Sequence, residues 1–202
     1  MVRPRACGQN RMVSLIPSNI RCGSIESNEV NAKSSFGAEA RIVGGLATVA
    51  SSHPWLVRVA GRSCGGAIIG KNTVITAGHC CGDRIVKISI GERLSGTVQV
   101  FQATKIIRHP RYDDSTLVND ICILEFEEEL PLDSRVNPAC LPNPEDRPLP
   151  GQECFIAGWG YQQYDKPSSA AVNLMESAVP IIDYRTCAEW FKIENMSRDK
   201  YE

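Results

Sequence analysis

The stretch Ser63-Cys64-Gly65-Gly66-Ala67-Ile68-Ile69, followed six residues later by Thr76-Ala77-Gly78-His79-Cys80, constrains this 202-residue chain more than any other. Two cysteines bracket a run that alternates and turns like a pair of strands. A disulfide between Cys64 and Cys80 would close 15 intervening residues, worth roughly 3 kcal/mol in the chain-entropy view. It would also hold His79 on a rigid support, as a proton-transferring imidazole requires. A histidine beside a cysteine is, taken alone, more often structural than catalytic. Its company in the sequence decides.

From Ile42 onward the texture is one of short β-like runs between Gly and Pro signals. Trp55 to Val59, Gly66 to Ile69 and Thr73 to Ala77 read as strands. Val86 to Ile90 alternates cleanly, with Val86, Ile88 and Ile90 on one face and Lys87 and Ser89 on the other. Val98 to Ile107 and Ile121 to Phe126 complete about six runs, a spacing that suggests a sandwich or barrel. Residues 127 to 150 carry Pro131, Pro138, Pro142, Pro144, Pro148 and Pro150, a density that marks a crossover linker. A second β region opens with Cys154-Phe155-Ile156-Ala157 and continues over Leu174 to Ile182. Asp183 is a natural N-cap for a short helix through about Lys192, carrying Cys187. Residues 1 to 41 are polar, without sustained periodicity, and read as an irregular pro-segment.

A hydrophobic content of 43% is ample for a packed core. The net charge is −1, with no basic stripe, so a nucleic-acid partner is not expected. No stretch approaches the ~18 apolar residues of a transmembrane helix. Nine cysteines without a Cys-x-x-Cys pair point to oxidising, extracytoplasmic folding rather than to zinc. Met1 to Ile20 lacks the ~7–15-residue apolar core of a secretory signal, so the native start is expected to lie elsewhere. Calcium is not expected either, because no second carboxylate follows Glu92 before Arg108.

Five motifs in order then resemble the trypsin/chymotrypsin family of serine endopeptidases. Arg41-Ile42-Val43-Gly44-Gly45 looks like its activation junction, Thr-Ala-Gly-His79-Cys like its general-base segment, and Asn119-Asp120-Ile121-Cys122 like the segment of its orienting carboxylate. Cys140-Leu141-Pro142 and Cys154 with Gly158-Trp159-Gly160 match two more. Gly78 stands where alanine is commoner, at most ~1 kcal/mol of backbone entropy. His53 and His109, each before a proline, match ordinary turn segments.

The resemblance implies an all-β fold of two six-stranded barrels: a first over 42–130, a linker over 131–150, and an incomplete second over 151–202 with one short helix. It implies peptide-bond hydrolysis with His79 as base and Asp120 as its carboxylate, and a zymogen cut between Arg41 and Ile42. Polypeptide substrates, an activating protease and protein inhibitors are the implied partners, with no cofactor, metal or membrane. Cys64 pairs with Cys80 on this reading, and Cys22, or Cys7 in competition, with Cys140. Cys154 and Cys187 would bond cysteines beyond those present. Cys81 and Cys122 are extra to the common pattern. They either bond each other, stapling base to carboxylate, or remain buried thiols.

The matching nucleophile motif, Gly-Asp-Ser-Gly-Gly, does not occur, and Ser95, Ser115, Ser168 and Ser169 lie in unrelated surroundings. With it the resemblance loses the oxyanion amides, the specificity pocket and the acid that receives the Ile42 amine. The 202 residues alone are therefore expected to be inactive. The alternative is a non-catalytic protease homologue used for binding. A metal site from Cys64, His79, Cys80 and Cys81 ranks below both, because adjacent cysteines poorly serve a tetrahedron. Asn195-Met196-Ser197 is a weak glycosylation sequon.

Overall fold

A computed structural model of the chain describes residues 46–59, 64–82, 85–90, 98–143, 145–146, 148–161 and 171–190. The strands are β1 (Leu46–Ala47), β2 (Leu56–Val59), β3 (Cys64–Gly70), β4 (Thr73–Thr76), β5 (Lys87–Ile90), β6 (Gln99–Gln102), β7 (Lys105–Arg108), β8 (Cys122–Glu125), β9 (Glu153–Gly158) and β10 (Met175–Pro180). The α-helix among the described residues is α1 (Tyr184–Trp190). The architecture is all-β in two sheets. One curls through seven strands in the order β6-β5-β2-β3-β4-β8-β7, and the other runs β1-β10-β9.

Period-2 alternation builds the larger sheet. Val57 and Val59, Val74 and Thr76, Ile88 and Ile90, and Cys122 and Leu124 are buried while their neighbours are less so. Register brings these residues opposite one another: Val59 faces Ile88, Ile88 faces Phe101, Ile68 faces Val74, and Val74 faces Leu124. A slip by one residue would turn Lys87 and Glu125 inward, so one-sided burial fixes the pairing. Val57, Ile68, Val74, Ile88 and Leu124 have no exposed surface and centre the core.

The run from Val98 to Ile107 is two strands rather than one. Ala103 donates its amide to Val86 O and Thr104 to Glu125 O, both at 2.9 Å. The chain thus leaves β5 and joins β8 within two residues. The bend centres on buried Ala103, whose small side chain fits the crowded interior. β6 and β7 are the two end strands of the curled sheet, and this corner joins them covalently.

The proline-rich linker is laid along the curled sheet. Leu130, Asn137 and Ala139 donate amides to Lys71 O, Pro54 O and Ile68 O at 2.7, 2.9 and 2.8 Å. The smaller sheet takes its strands from both ends of the sequence. Leu46 and Ala47, which the sequence places in the first barrel, pair instead with Glu176 and Met175 of β10. An edge strand can join whichever sheet offers unpaired backbone. Between the sheets, His53 Nε2 lies 2.7 Å from Glu176 Oε2, and the Arg58 guanidinium stands 4.3 Å from the centre of the Trp159 ring.

Helix α1 begins where expected. Asp183 Oδ1 accepts the amides of Arg185 and Thr186 at 3.0 and 3.1 Å, satisfying two otherwise orphaned donors. The described helix runs to Trp190; the expected continuation to Lys192 lies outside the described residues.

Gly66 sits at a crowded point of the larger sheet. A Cβ there would lie 3.0 Å from Ile75 O, 3.1 Å from Val74 Cγ1 and 3.2 Å from Val57 Cγ2. Gly66→Ala is expected to cost about 1–3 kcal/mol by overpacking. In urea unfolding the midpoint should fall at an unchanged slope.

Candidate active site

Strands β4 and β8 are adjacent and antiparallel, with Thr76 opposite Cys122. The residues that leave β4 therefore lie beside those that enter β8. Past Thr76 the chain tightens into a 3-10 turn over Gly78–Cys80, in which Cys80 and Cys81 donate amides to Ala77 O and Gly78 O at 3.1 and 3.0 Å. Before β8, Asn119 takes a left-handed conformation (φ 57°), which asparagine tolerates better than most residues. Its side chain donates to Arg111 O at 2.9 Å, holding the turn that presents Asp120.

The two turns bring His79 and Asp120 together. His79 Nδ1 lies 2.7 Å from Asp120 Oδ2, and the His79 amide donates to Asp120 Oδ1, also at 2.7 Å. One carboxylate thus grips both the ring and the backbone of the same residue. An ionised carboxylate only accepts hydrogen bonds, so Nδ1 carries a proton, and in the neutral ring the other nitrogen, Nε2, keeps its lone pair. The imidazole side chain is 47% exposed against 22% for the carboxylate. Burial works to raise the Asp120 pKa, but hydrogen bonds from the His79 ring and amide, the charge of that ring and the Gly78 amide outweigh it. They hold Asp120 below its ordinary value.

Two disulfides frame the pair. Cys64–Cys80 ties β3 to the His79 turn, and Cys81–Cys122 ties that turn to the start of β8, two residues past Asp120. Cys81 and Cys122 are each 1% exposed, so the second bond is part of the core. Sulfurs of Cys64 and Cys80 lie 3.9 and 3.4 Å from His79 Nε2. They resemble a metal-binding cluster only by distance. Joined to each other, they have no thiolate to offer.

The other expected residues are placed as follows. Cys140 is disulfide-bonded, to a partner outside the described residues. Cys154 on β9 and Cys187 on α1 are free. Cys7, Cys22, Arg41, Ile42 and Asn195, with Ser95, Ser168 and Ser169, lie outside the described residues. Ser115 Oγ donates to Asp113 at 2.7 Å within its own loop. His109 Nδ1 accepts the Arg111 amide, and His53 pairs with Glu176. Nothing in the local sequence announces that last pair, which spans 123 positions. Nor does it announce Tyr112, whose ring rests against Gly78.

The trypsin family model matches residues 42–201. The chain belongs to the trypsin family. Over 179 residues it is 31% identical to serine protease 56 of Mus musculus, covering 85% of this chain and 29% of that protein. Over 209 residues it is 29% identical to atrial natriuretic peptide-converting enzyme of Homo sapiens, covering 98% of this chain and 19% of that protein. The chain thus spans under a third of either relative. A solved structure described as "Structure of GrC" superposes with a TM-score of 0.67 at 26% identity, over 80% of this chain and 72% of that one. Serine protease chemistry, with polypeptides as the class of substrate, is the kind of function this family supports. No described helix of this trypsin-family chain is long and apolar enough to cross a membrane.

Removing the inner staple with Cys81→Ala/Cys122→Ala opens a loop of sequence separation 41. A loss of about 2–4 kcal/mol is expected, read from urea or thermal unfolding. Asp120 also sets a pH dependence. Its folded pKa lies below the ordinary 3.8, so its contribution is complete above that value and disappears as pH falls through the lower folded value. Asp120→Asn should therefore be less stable than the parent at neutral pH, with the gap closing below about pH 4. Urea midpoints measured across pH check this.

Proposed function

We propose that the chain belongs to a secreted serine endopeptidase in which His79 is the general base and Asp120 its orienting carboxylate. Residues 42–202 belong to the protease domain and residues 1–41 to a pro-segment whose backbone an activating protease severs from it by cutting after Arg41. The observation that carries this reading is the carboxylate's double hold on His79, at 2.7 Å to ring and amide alike. It fixes the tautomer that leaves Nε2 free to take a proton from a hydroxyl. Cys64–Cys80 and Cys81–Cys122 suit an oxidising compartment, hence secretion.

In this mechanism Nε2 removes the proton of a serine hydroxyl as its oxygen attacks the scissile carbonyl. The same nitrogen then delivers that proton to the leaving amine. Asp120 stays ionised throughout and stabilises the transient imidazolium. Neither step uses a metal-bound water. The 202 residues contain no Gly-Asp-Ser-Gly-Gly segment, so this reading requires a serine outside them. Protein inhibitors that present a peptide to the same site would compete with substrate.

The test is labelling by a fluorophosphonate, which reacts only with an activated serine. The protein that contains this chain should label after cleavage at Arg41 and lose labelling on His79→Ala. Asp120→Asn should lower kcat by about 10⁴-fold. The 202-residue polypeptide alone should give neither label nor an acyl-enzyme burst. A burst from that polypeptide, or full labelling of His79→Ala, contradicts the proposal.

A further inference from the structure

The apolar core of the larger sheet stops short of the smaller one. The cluster centred on Val57, Ile68, Val74, Ile88 and Leu124 includes no residue of β1, β9 or β10. Leu174 and Met175, buried where β10 begins, stand outside it. Burial along β2 alternates, with Val57 and Val59 turned inward and Leu56 and Arg58 on the opposite face. Arg58 reaches the smaller sheet from that outer face, so the two sheets meet across a surface the core does not supply.

Two polar contacts cross this surface. His53, in the turn before β2, places Nε2 2.7 Å from Glu176 Oε2, and the Arg58 guanidinium stands 4.3 Å from the centre of the Trp159 ring. A carboxylate only accepts hydrogen bonds, so His53 is the donor. The side chains of His53 and Glu176 are 13% and 31% exposed, which leaves water little room to compete. The Trp55 ring braces the imidazole edge-on, 6.0 Å between ring centres. Arg58 Nη2 is closed off from solvent, and a cation is held more tightly by an aromatic face where water is excluded.

Register then sets where these contacts fall. Met175 lies opposite Gly158 and Glu176 opposite Ala157, so Glu176 and Trp159 stand at the same end of the β9–β10 pair. One short stretch of the larger sheet, from His53 to Arg58, thus grips one end of the smaller sheet at two points. Apolar burial is non-directional and tolerates sliding. A hydrogen bond at this distance and a cation over a ring do not, because each weakens steeply with misplacement.

We propose that His53–Glu176 and Arg58–Trp159 act together as a two-point clasp, whose four members are positioning residues that fix the angle of the smaller sheet against the sheet carrying His79 and Asp120. Its bearing on turnover rests on the catalytic reading above. The clasp itself does not.

The test reads the Trp159 indole N–H by NMR in the 202-residue chain, assigned through Trp159→Phe. Arg58→Met removes the cation and keeps the length, and should move this resonance. Arg58→Lys restores the charge and should bring it back towards the parent. His53→Ala breaks the other point, yet should move the Trp159 resonance in the same direction. The double variant His53→Ala/Arg58→Met should move it no further than the larger single effect, since both substitutions open one clasp. In either single variant the β9–β10 ladder amides should exchange roughly tenfold faster, while the β4–β8 ladder amides change by less than about twofold. Should His53→Ala fail to fold, His53→Phe keeps a ring in place, removes the donor and decides by the same outcomes.

A Trp159 resonance indifferent to the loss of His53, additive shifts in the double variant, or equal acceleration of both ladders would overturn the proposal. These measurements need no nucleophile. The expected shifts together with failed fluorophosphonate labelling of the protein that contains this chain would sink the catalytic reading alone. Labelling with a Trp159 resonance that ignores His53 would sink the clasp alone.

Discussion

The antiparallel ladder between β4 and β8 is the constraint from which the site follows. Its four residue pairs run from Thr73 and Glu125 to Thr76 and Cys122. With Val74 and Leu124 buried against each other at its centre, the ladder has one register open to it. That register delivers the Gly78–Cys80 turn and the Asn119–Asp120 turn to the same end of the sheet. Histidine and aspartate, 41 positions apart in sequence, then need only local geometry to meet.

Local geometry is supplied twice over. Cys81–Cys122 ties the two turns covalently, and the carboxylate ties them by hydrogen bonds to a ring nitrogen and to backbone amides. The covalent tie acts chiefly on the unfolded chain by shortening its reach. The polar tie acts on the folded site by choosing a tautomer and an angle. These are separate tasks, and the pair of buried sulfurs performs only the first.

The strands were legible in the sequence wherever burial is one-sided, as in the alternation from Val86 to Ile90, because the solvent-facing residues are polar. The corner at Ala103 was not, because the apolar pattern of Val98–Ile107 continues across a change of hydrogen-bonding partner. The pairing of Leu46–Ala47 with β10 was hidden for a similar reason: two exposed residues carry no periodic signal, and their partners come about 130 positions later. His79 and Asp120 stood out through motif neighbours rather than through any pattern of their own. The Tyr112 ring against Gly78 was invisible, since the absence of a methyl group announces nothing about what fills the space.

The central claim is that Asp120 holds the proton on His79 Nδ1 and leaves Nε2 as the base. The most direct measurement is the ¹⁵N spectrum of the His79 imidazole in the neutral chain, assigned through His79→Ala. A protonated, pyrrole-type Nδ1 beside a bare, pyridine-type Nε2, with the difference reduced in Asp120→Asn, is the outcome expected here. A bare Nδ1 with the proton on Nε2 would contradict the account.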